Sequence, residues 1–128
     1  MNTKKNKAKK VLIVEDNELL STMFKIALEK KGFQTETSLE GKSSIEKVKE
    51  FKPDLILLDI MMPGGLSGFD VLDKLRKELR IDTPVIVNSN LTQQKDIDRA
   101  FELGANEYLK KSDYTPGEVT KKIEALCA

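Results

Sequence analysis

Leu55-Ile56-Leu57-Leu58-Asp59-Ile60-Met61-Met62-Pro63 is the stretch on which the fold turns. Its four consecutive apolar residues, bounded by Pro53 and the Pro63-Gly64-Gly65 turn, read as a strand buried on both faces. Such a strand belongs to a parallel sheet covered by helices. A carboxylate at its last step lies where the sheet opens toward a ligand crevice. A second apolar run, Val11-Leu12-Ile13-Val14, also ends in acids, Glu15 and Asp16. Two parallel strands thus bring three acidic oxygen donors to one rim. A lone Asp59 could merely cap a turn; two acidic strand ends make that the weaker reading.

Outward from this stretch, apolar runs alternate with helical patterns. A helix is predicted from about Asn17 to Lys31, with Leu20, Met23, Phe24 and Ala27 on one face and Gly32 as its stop. Phe33 to Thr37 is a poor edge strand, and Lys42 to Phe51 a helix marked by Ile45, Val48 and Phe51. Phe69, Leu72, Leu75 and Leu79 mark the next helix; Pro84 opens the strand Val85-Ile86-Val87. A helix around Ile97, Ala100 and Phe101 stops at Gly104, and Asn106 to Leu109 forms the fifth strand, with Tyr108 inward and Leu109 outward. Thr115-Pro116-Gly117-Glu118 is a capping-box start for a last helix whose stripe is Val119, Ile123 and Leu126. Five βα units in succession imply an α/β fold with a parallel sheet and helices on both faces.

Composition narrows the chemistry. The chain has 128 residues, near the modal domain size, with 39% hydrophobic and 34% charged residues. No apolar run approaches a membrane span or a signal peptide. With no histidine and one cysteine, Cys127, zinc sites, an internal disulfide and Ser-His-Asp or Cys-His catalysis are excluded. Any metal must be a hard cation held by oxygen, and the expected compartment is the cytoplasm. Lys4, Lys5, Lys7, Lys9 and Lys10 precede every acidic residue; the other 17 basic residues meet 21 acidic ones, so the body carries −4. Residues 1–9 read as a basic, disordered tail rather than a nucleic-acid contact, because no aromatic is interleaved to stack on bases. Residues 10–128 form the one domain.

The order of these motifs resembles a known family. Glu15-Asp16 after the first strand, Asp59 after the third, Ser89 after the fourth and Lys111 after the fifth resemble the receiver domain of two-component response regulators. The segments LDIMMP and GANEYLKKS carry the likeness most strongly, and it covers residues 10 to 127. The resemblance implies a flavodoxin-like, doubly wound (βα)5 fold with strand order 2-1-3-4-5. It also implies that Asp59 accepts a phosphoryl group from a histidine kinase or histidine-phosphotransfer protein. The chain would then be a stand-alone receiver or the receiver portion of a longer protein, and not a turnover enzyme. By the same likeness the main-chain carbonyl of Met61 is a metal ligand. Ser89 and Tyr108 form a coupled switch that reshapes the face of the fourth helix, fifth strand and fifth helix for a downstream protein, with a weak homodimer on phosphorylation as a further expectation.

Elementary chemistry agrees. A phosphoryl donor and a carboxylate nucleophile repel each other unless a cation intervenes. Mg²⁺ takes about six oxygens, including one or two carboxylates; Asp16 and Asp59 are the expected direct ligands, with Glu15 acting through water. Lys111 supplies positive charge to the moving phosphoryl oxygens, and the Ser89 hydroxyl a hydrogen bond. Adjacent Lys110 leaves the register open by one residue. Three features depart from the family pattern: the loop MPGGLSG is one residue longer, Asn90 replaces a small residue beside the phosphoryl group, and Ser112 replaces a proline. A non-proline cis peptide costs about 2.5–4 kcal/mol, so the Lys111–Ser112 bond is expected to be trans. A flavodoxin-type electron carrier is disfavoured because Glu15-Asp16-Asn17-Glu18 would repel its phosphate. A haloacid-dehalogenase-like phosphatase needs a DxD that neither VEDNE nor LDIMM contains. A degenerate, phosphorylation-independent receiver is disfavoured by the complete set of acids, hydroxyl and lysine.

Overall fold

A computed structural model describes residues 9–127, so residues 1–8 of the expected basic tail lie outside it. The elements are β1 (Lys10–Val14), α1 (Glu18–Lys30), β2 (Gln34–Ser38), α2 (Gly41–Phe51), β3 (Leu55–Leu58), α3 (Gly68–Asp73), β4 (Val85–Ser89), α4 (Gln94–Glu102), β5 (Glu107–Lys110) and α5 (Pro116–Cys127). The five strands form one parallel sheet of order β2-β1-β3-β4-β5. Fold class and strand order are therefore as expected.

Alternation sorts each strand between two cores. Leu12, Val14, Ile56, Leu58, Val85 and Val87 pack with Val48 of α2, Phe69, Val71 and Leu72 of α3 and Ala100 of α4. Val11, Ile13, Leu55, Leu57, Ile86 and Leu109 face the other way, against Phe24 and Leu28 of α1 and Val119 and Ile123 of α5. This explains the unbroken apolar runs: with helices on both sides, successive residues are all buried. Each such side chain contributes about 1.5–3 kcal/mol of burial, so β3, buried along its whole length, anchors Asp59 firmly.

Several sequence expectations need correction. Tyr108 is only half-buried and Leu109 is fully buried, because alternation in a doubly covered sheet assigns a layer, not exposure. Met23 and Leu126 are 45% and 48% exposed. Ser21, Phe24 and Leu28 make the core stripe of α1, and half-buried Cys127 takes the place given to Leu126 at the end of α5. The helix predicted through Leu79 changes hydrogen bonding after Asp73, becoming a π-helical turn (Lys74–Glu78). The capping box of α5 is as expected: Thr115 N–H donates to Glu118 Oε1 at 2.8 Å and Glu118 N–H to Thr115 Oγ1 at 3.1 Å.

Candidate functional site at the carboxyl edge of the sheet

The ladder runs one step past the strands, and that step carries the site. Glu15 N–H donates to Ser38 O at 3.0 Å, Asp59 N–H to Val14 O at 2.9 Å and Lys111 N–H to Ser89 O at 2.9 Å. Three side chains that no strand contains are thereby held with strand-like rigidity. Gly68, opening α3, packs so closely on the backbone of Asp59 and Ile60 that a Cβ would collide with it. Its N–H donates to Ile60 O at 2.8 Å, which clamps the loop after Asp59.

Glu15, Asp16 and Asp59 each place a carboxylate oxygen within 4.8 Å of the others. Glu15 and Asp59 are 3% and 4% exposed, while Asp16 faces solvent. The Lys111 ammonium bridges the buried pair, 2.8 Å from Glu15 Oε1 and 2.9 Å from Asp59 Oδ2. Lys111, rather than its neighbour Lys110, is the lysine whose ammonium lies at the acidic pair. Met61 N–H donates to Asp59 Oδ1 at 3.2 Å and Asn17 N–H to Glu15 Oε2 at 3.1 Å; Asn17 also caps α1 by accepting from Leu20 N–H at 3.0 Å. The first helix therefore begins immediately behind the acidic pair.

Three carboxylates against one ammonium leave the site with excess negative charge. Burial, reinforced by the charge of Asp59, raises the Glu15 pKa above the ordinary carboxylate value, although hydrogen bonds from Lys111 and Asn17 pull the other way. Burial works against the charge on Lys111, but its hydrogen bonds to Glu15 and Asp59 and their charges outweigh it and hold its pKa above the usual lysine value. Hard oxygen donors with a surplus of negative charge are what Mg²⁺ selects, so the residues present fit that ion.

Ser89 is fully buried and its Oγ accepts from Leu91 N–H at 3.3 Å. Tyr108 Oη donates to Leu91 O at 2.8 Å, and burial raises the Tyr108 pKa. The two expected switch residues therefore meet on the backbone of Leu91, a residue the sequence reading missed and could not have found, since only its peptide groups are used. Asn90 is exposed beside them. The described residues contain no cis peptide, so Lys111–Ser112 is trans, as its cost predicts.

The comparisons with known proteins agree with this geometry. A family model described as the response regulator receiver domain matches residues 11–124. The alkaline phosphatase synthesis transcriptional regulatory protein PhoP of Bacillus subtilis is 33% identical over 118 residues, 92% of this chain and 48% of that protein. The phosphate regulon transcriptional regulatory protein PhoB of Escherichia coli is 35% identical over 120 residues, 93% of this chain and 52% of that protein. The chain thus spans about half the length of the curated relatives it matches. Among solved structures, the receiver domain of Francisella response regulator 1452 superposes with a TM-score of 0.84 at 30% identity, covering 92% of this chain and 95% of that one. A CheY-like receiver domain from Methanospirillum hungatei gives a TM-score of 0.85 at 24% identity, covering 94% of each, and bears on the fold alone. Among the described residues no helix is long and apolar enough to cross a membrane.

Proposed function

This chain belongs to the response regulator receiver domain family, and from that premise we propose that Asp59 is the phosphoacceptor of a two-component phosphorelay. Phosphorylation-dependent signalling is what the family does; the assignment of roles to residues is our reading. The observation that carries it is the Lys111 ammonium held between buried Asp59 and Glu15, with exposed Asp16 beside them.

An Asp59 carboxylate oxygen attacks phosphorus as the bond from phosphorus to the donor's imidazole nitrogen, or to acetate in acetyl phosphate, breaks with its electron pair. Lys111 is placed to follow the charge from the carboxylate to the transferring oxygens. Met61 N–H holds Asp59 Oδ1, leaving one orientation of the nucleophile. Asp16, Asp59 and the Met61 carbonyl, with Glu15 through water, would hold Mg²⁺. When bound, it supplies charge neutralisation for the approach of two anions.

The added phosphoryl group brings about −1.5 to −2 charge and strong acceptors. The Ser89 hydroxyl, leaving Leu91 N–H for those oxygens, would loosen the turn onto which Tyr108 is also bonded. That couples the site to α4, β5 and α5, which we assign as the face for a downstream protein and for a weak phosphorylation-dependent homodimer. The upstream partner in this reading is a histidine kinase or histidine-phosphotransfer protein of the cytoplasm. Catalysis is confined to the protein's own phosphorylation and dephosphorylation.

Acetyl phosphate with Mg²⁺ tests the assignment by intact mass. One phosphoryl group should appear on the wild type, and none with EDTA or on Asp59→Asn. Undiminished labelling of the Asp59→Asn protein would falsify it.

A further inference from the structure

β4 contains one residue that its packing does not explain. Val85, Ile86 and Val87 are fully buried aliphatic side chains, and Asn88, 3% exposed, follows them. A buried carboxamide costs free energy unless it is hydrogen-bonded, and a leucine has the same branching with no polar group to satisfy. The Asn88 amide does have a partner: Nδ2 donates to Leu109 O at 3.2 Å.

The register says where that amide lies. Leu58 pairs with Val87, so Asp59 and Asn88 are neighbours one step on; Asn88 in turn pairs with Leu109. Ile13, Leu57, Ile86 and Leu109 all face α1 and α5. Two residues beyond each of the first three come Glu15, Asp59 and Asn88, and two beyond Leu109 comes Lys111, so all four share that face. Glu15 and Asp59, one step past β1 and β3, thus form a row across the sheet with Asn88 of β4 and Leu109 of β5. Lys111 leaves β5, yet its ammonium reaches Asp59 beyond β3 and Glu15 beyond β1. Its side chain must cross β4 to do so, and Asn88 is the β4 residue of that row.

We propose that Asn88 is a positioning residue for Lys111, fixing the end of β5 through the Leu109 carbonyl so that the ammonium spans Asp59. The proposal rests on the reading of Asp59 as phosphoacceptor. The ladder bond from Lys111 N–H to Ser89 O fixes the position of the strand end; the Asn88 bond to the Leu109 peptide, two residues earlier, adds control of its tilt, and even a small tilt moves a long side chain's tip further than its base. Displacing a charge by about 1 Å from a reacting group is enough to cost up to about 10²-fold in rate. Asn88 touches no reacting atom; its effect is exerted through Lys111.

A double-mutant cycle isolates that effect, with the initial rate of phosphorylation by saturating acetyl phosphate as readout. Asn88→Leu should lose about tenfold in rate, with Mg²⁺ affinity by calorimetry unchanged. Lys111→Ala should lose more, and adding Asn88→Leu to it should cost nothing further, because a positioning residue has no role once its client is gone. The same cycle with Asn88→Ala, which leaves room for a water, gives the answer if the leucine variant does not fold. Losses that multiply in the double variant, or a single-variant rate within about twofold of wild type, would each overturn the proposal. A wild type that acetyl phosphate does not label overturns the phosphoacceptor reading itself, and this inference with it.

Discussion

The two ends of the sheet handle buried charge in opposite ways. At the carboxyl edge, Lys111 is the one cation among Glu15, Asp16 and Asp59. At the amino edge, a single guanidinium, Arg76, meets only neutral acceptors. Its Nε and Nη2 donate to Gly104 O at 3.2 and 2.8 Å, Nη1 to Ile81 O and Thr83 O at 2.8 Å each, and Nη2 to Asn106 Oδ1 at 3.1 Å. Those bonds use all five N–H groups of the side chain. Gly104, at φ +109°, leaves the space: a Cβ there would meet the Arg76 stem at 2.8 Å. Asn106 Oδ1 also accepts from Val85 N–H at 2.9 Å, tying the same knot to the start of β4. One end is satisfied and closed, the other is short of positive charge. A fold that places its stability at one edge can carry strain at the other, where a ligand is needed.

The sharpest way to break this contrast is Arg76→Ala. Removing the guanidinium leaves three carbonyls short of a partner where α3 and its π-helical turn meet the starts of β4 and β5. Losing a charge-assisted network of this kind should cost on the order of 3 kcal/mol, read as a lower urea midpoint at unchanged slope. The acyl-phosphate labelling of the protein that remains folded should survive. If the loss is under about 0.5 kcal/mol, the scale of an ordinary surface change, Arg76 is not the anchor described.

Adding Mg²⁺ should do the reverse at the other edge. An ion that binds only the folded form at a hundredfold excess over its Kd stabilises by about 2.7 kcal/mol. The midpoint of thermal unfolding should therefore rise with Mg²⁺ in the wild type, and in Arg76→Ala from its lower starting point, but not in Asp16→Asn. A midpoint indifferent to millimolar Mg²⁺ would remove the metal from the account.

The same charge surplus has a pH signature, measured in EDTA. Because burial and Asp59 raise the folded pKa of Glu15, the folded state holds that proton more tightly than the unfolded state does. The stability this contributes is fully present below the unfolded value and is lost as pH rises through the folded value. Glu15→Gln should thus be more stable than wild type at pH 7, by about 1 kcal/mol as single-site effects go, and the advantage should vanish below pH 4.5, the ordinary Glu value. Denaturant titrations at the two pH values check it; an advantage that grows on acidification would reverse the sign of the argument.

How far each edge could be read from sequence follows from what kind of group it uses. The gathering of Glu15, Asp16, Asp59 and Lys111 at the carboxyl edge was legible because these side chains, like Ser89, stand at the ends of strands, and strand ends are visible in the pattern. The meeting of Ser89 and Tyr108 on the Leu91 backbone was not, since its N–H and carbonyl are common to any residue. Nor was the Arg76 knot: it joins residue 76 to residues 104 and 106, a contact no local pattern encodes. Asn88 did leave a trace, as the polar break in Val85-Ile86-Val87-Asn88, but its meaning needed the register of three strands. Helix faces went wrong at Met23 and Leu126, where apolar residues of adequate spacing outnumber the places a helix can bury.

The smallest effect tests how open the active edge is. Asn90 is exposed beside Ser89, at the same carboxyl edge of the sheet as Asp59. Two opposing consequences follow from its bulk: slower entry of the donor, and slower attack by water on the acyl phosphate. Entry of an anionic donor such as acetyl phosphate is drawn by the Lys111 charge, whereas hydrolysis needs a single neutral water aligned opposite the Asp59 oxygen. A side chain that merely narrows the rim hinders the aligned water more. Asn90→Ala should therefore shorten the phosphorylated half-life about threefold, roughly 0.65 kcal/mol in barrier, while the initial rate of labelling changes less. Ser112→Pro, which alters the chain beyond Lys111 and not the rim, should leave the half-life nearer to wild type than Asn90→Ala does. Half-lives followed by intact mass after removal of acetyl phosphate decide the matter, and a longer-lived phosphoryl group on Asn90→Ala would mean that Asn90 aligns the hydrolytic water instead of excluding it.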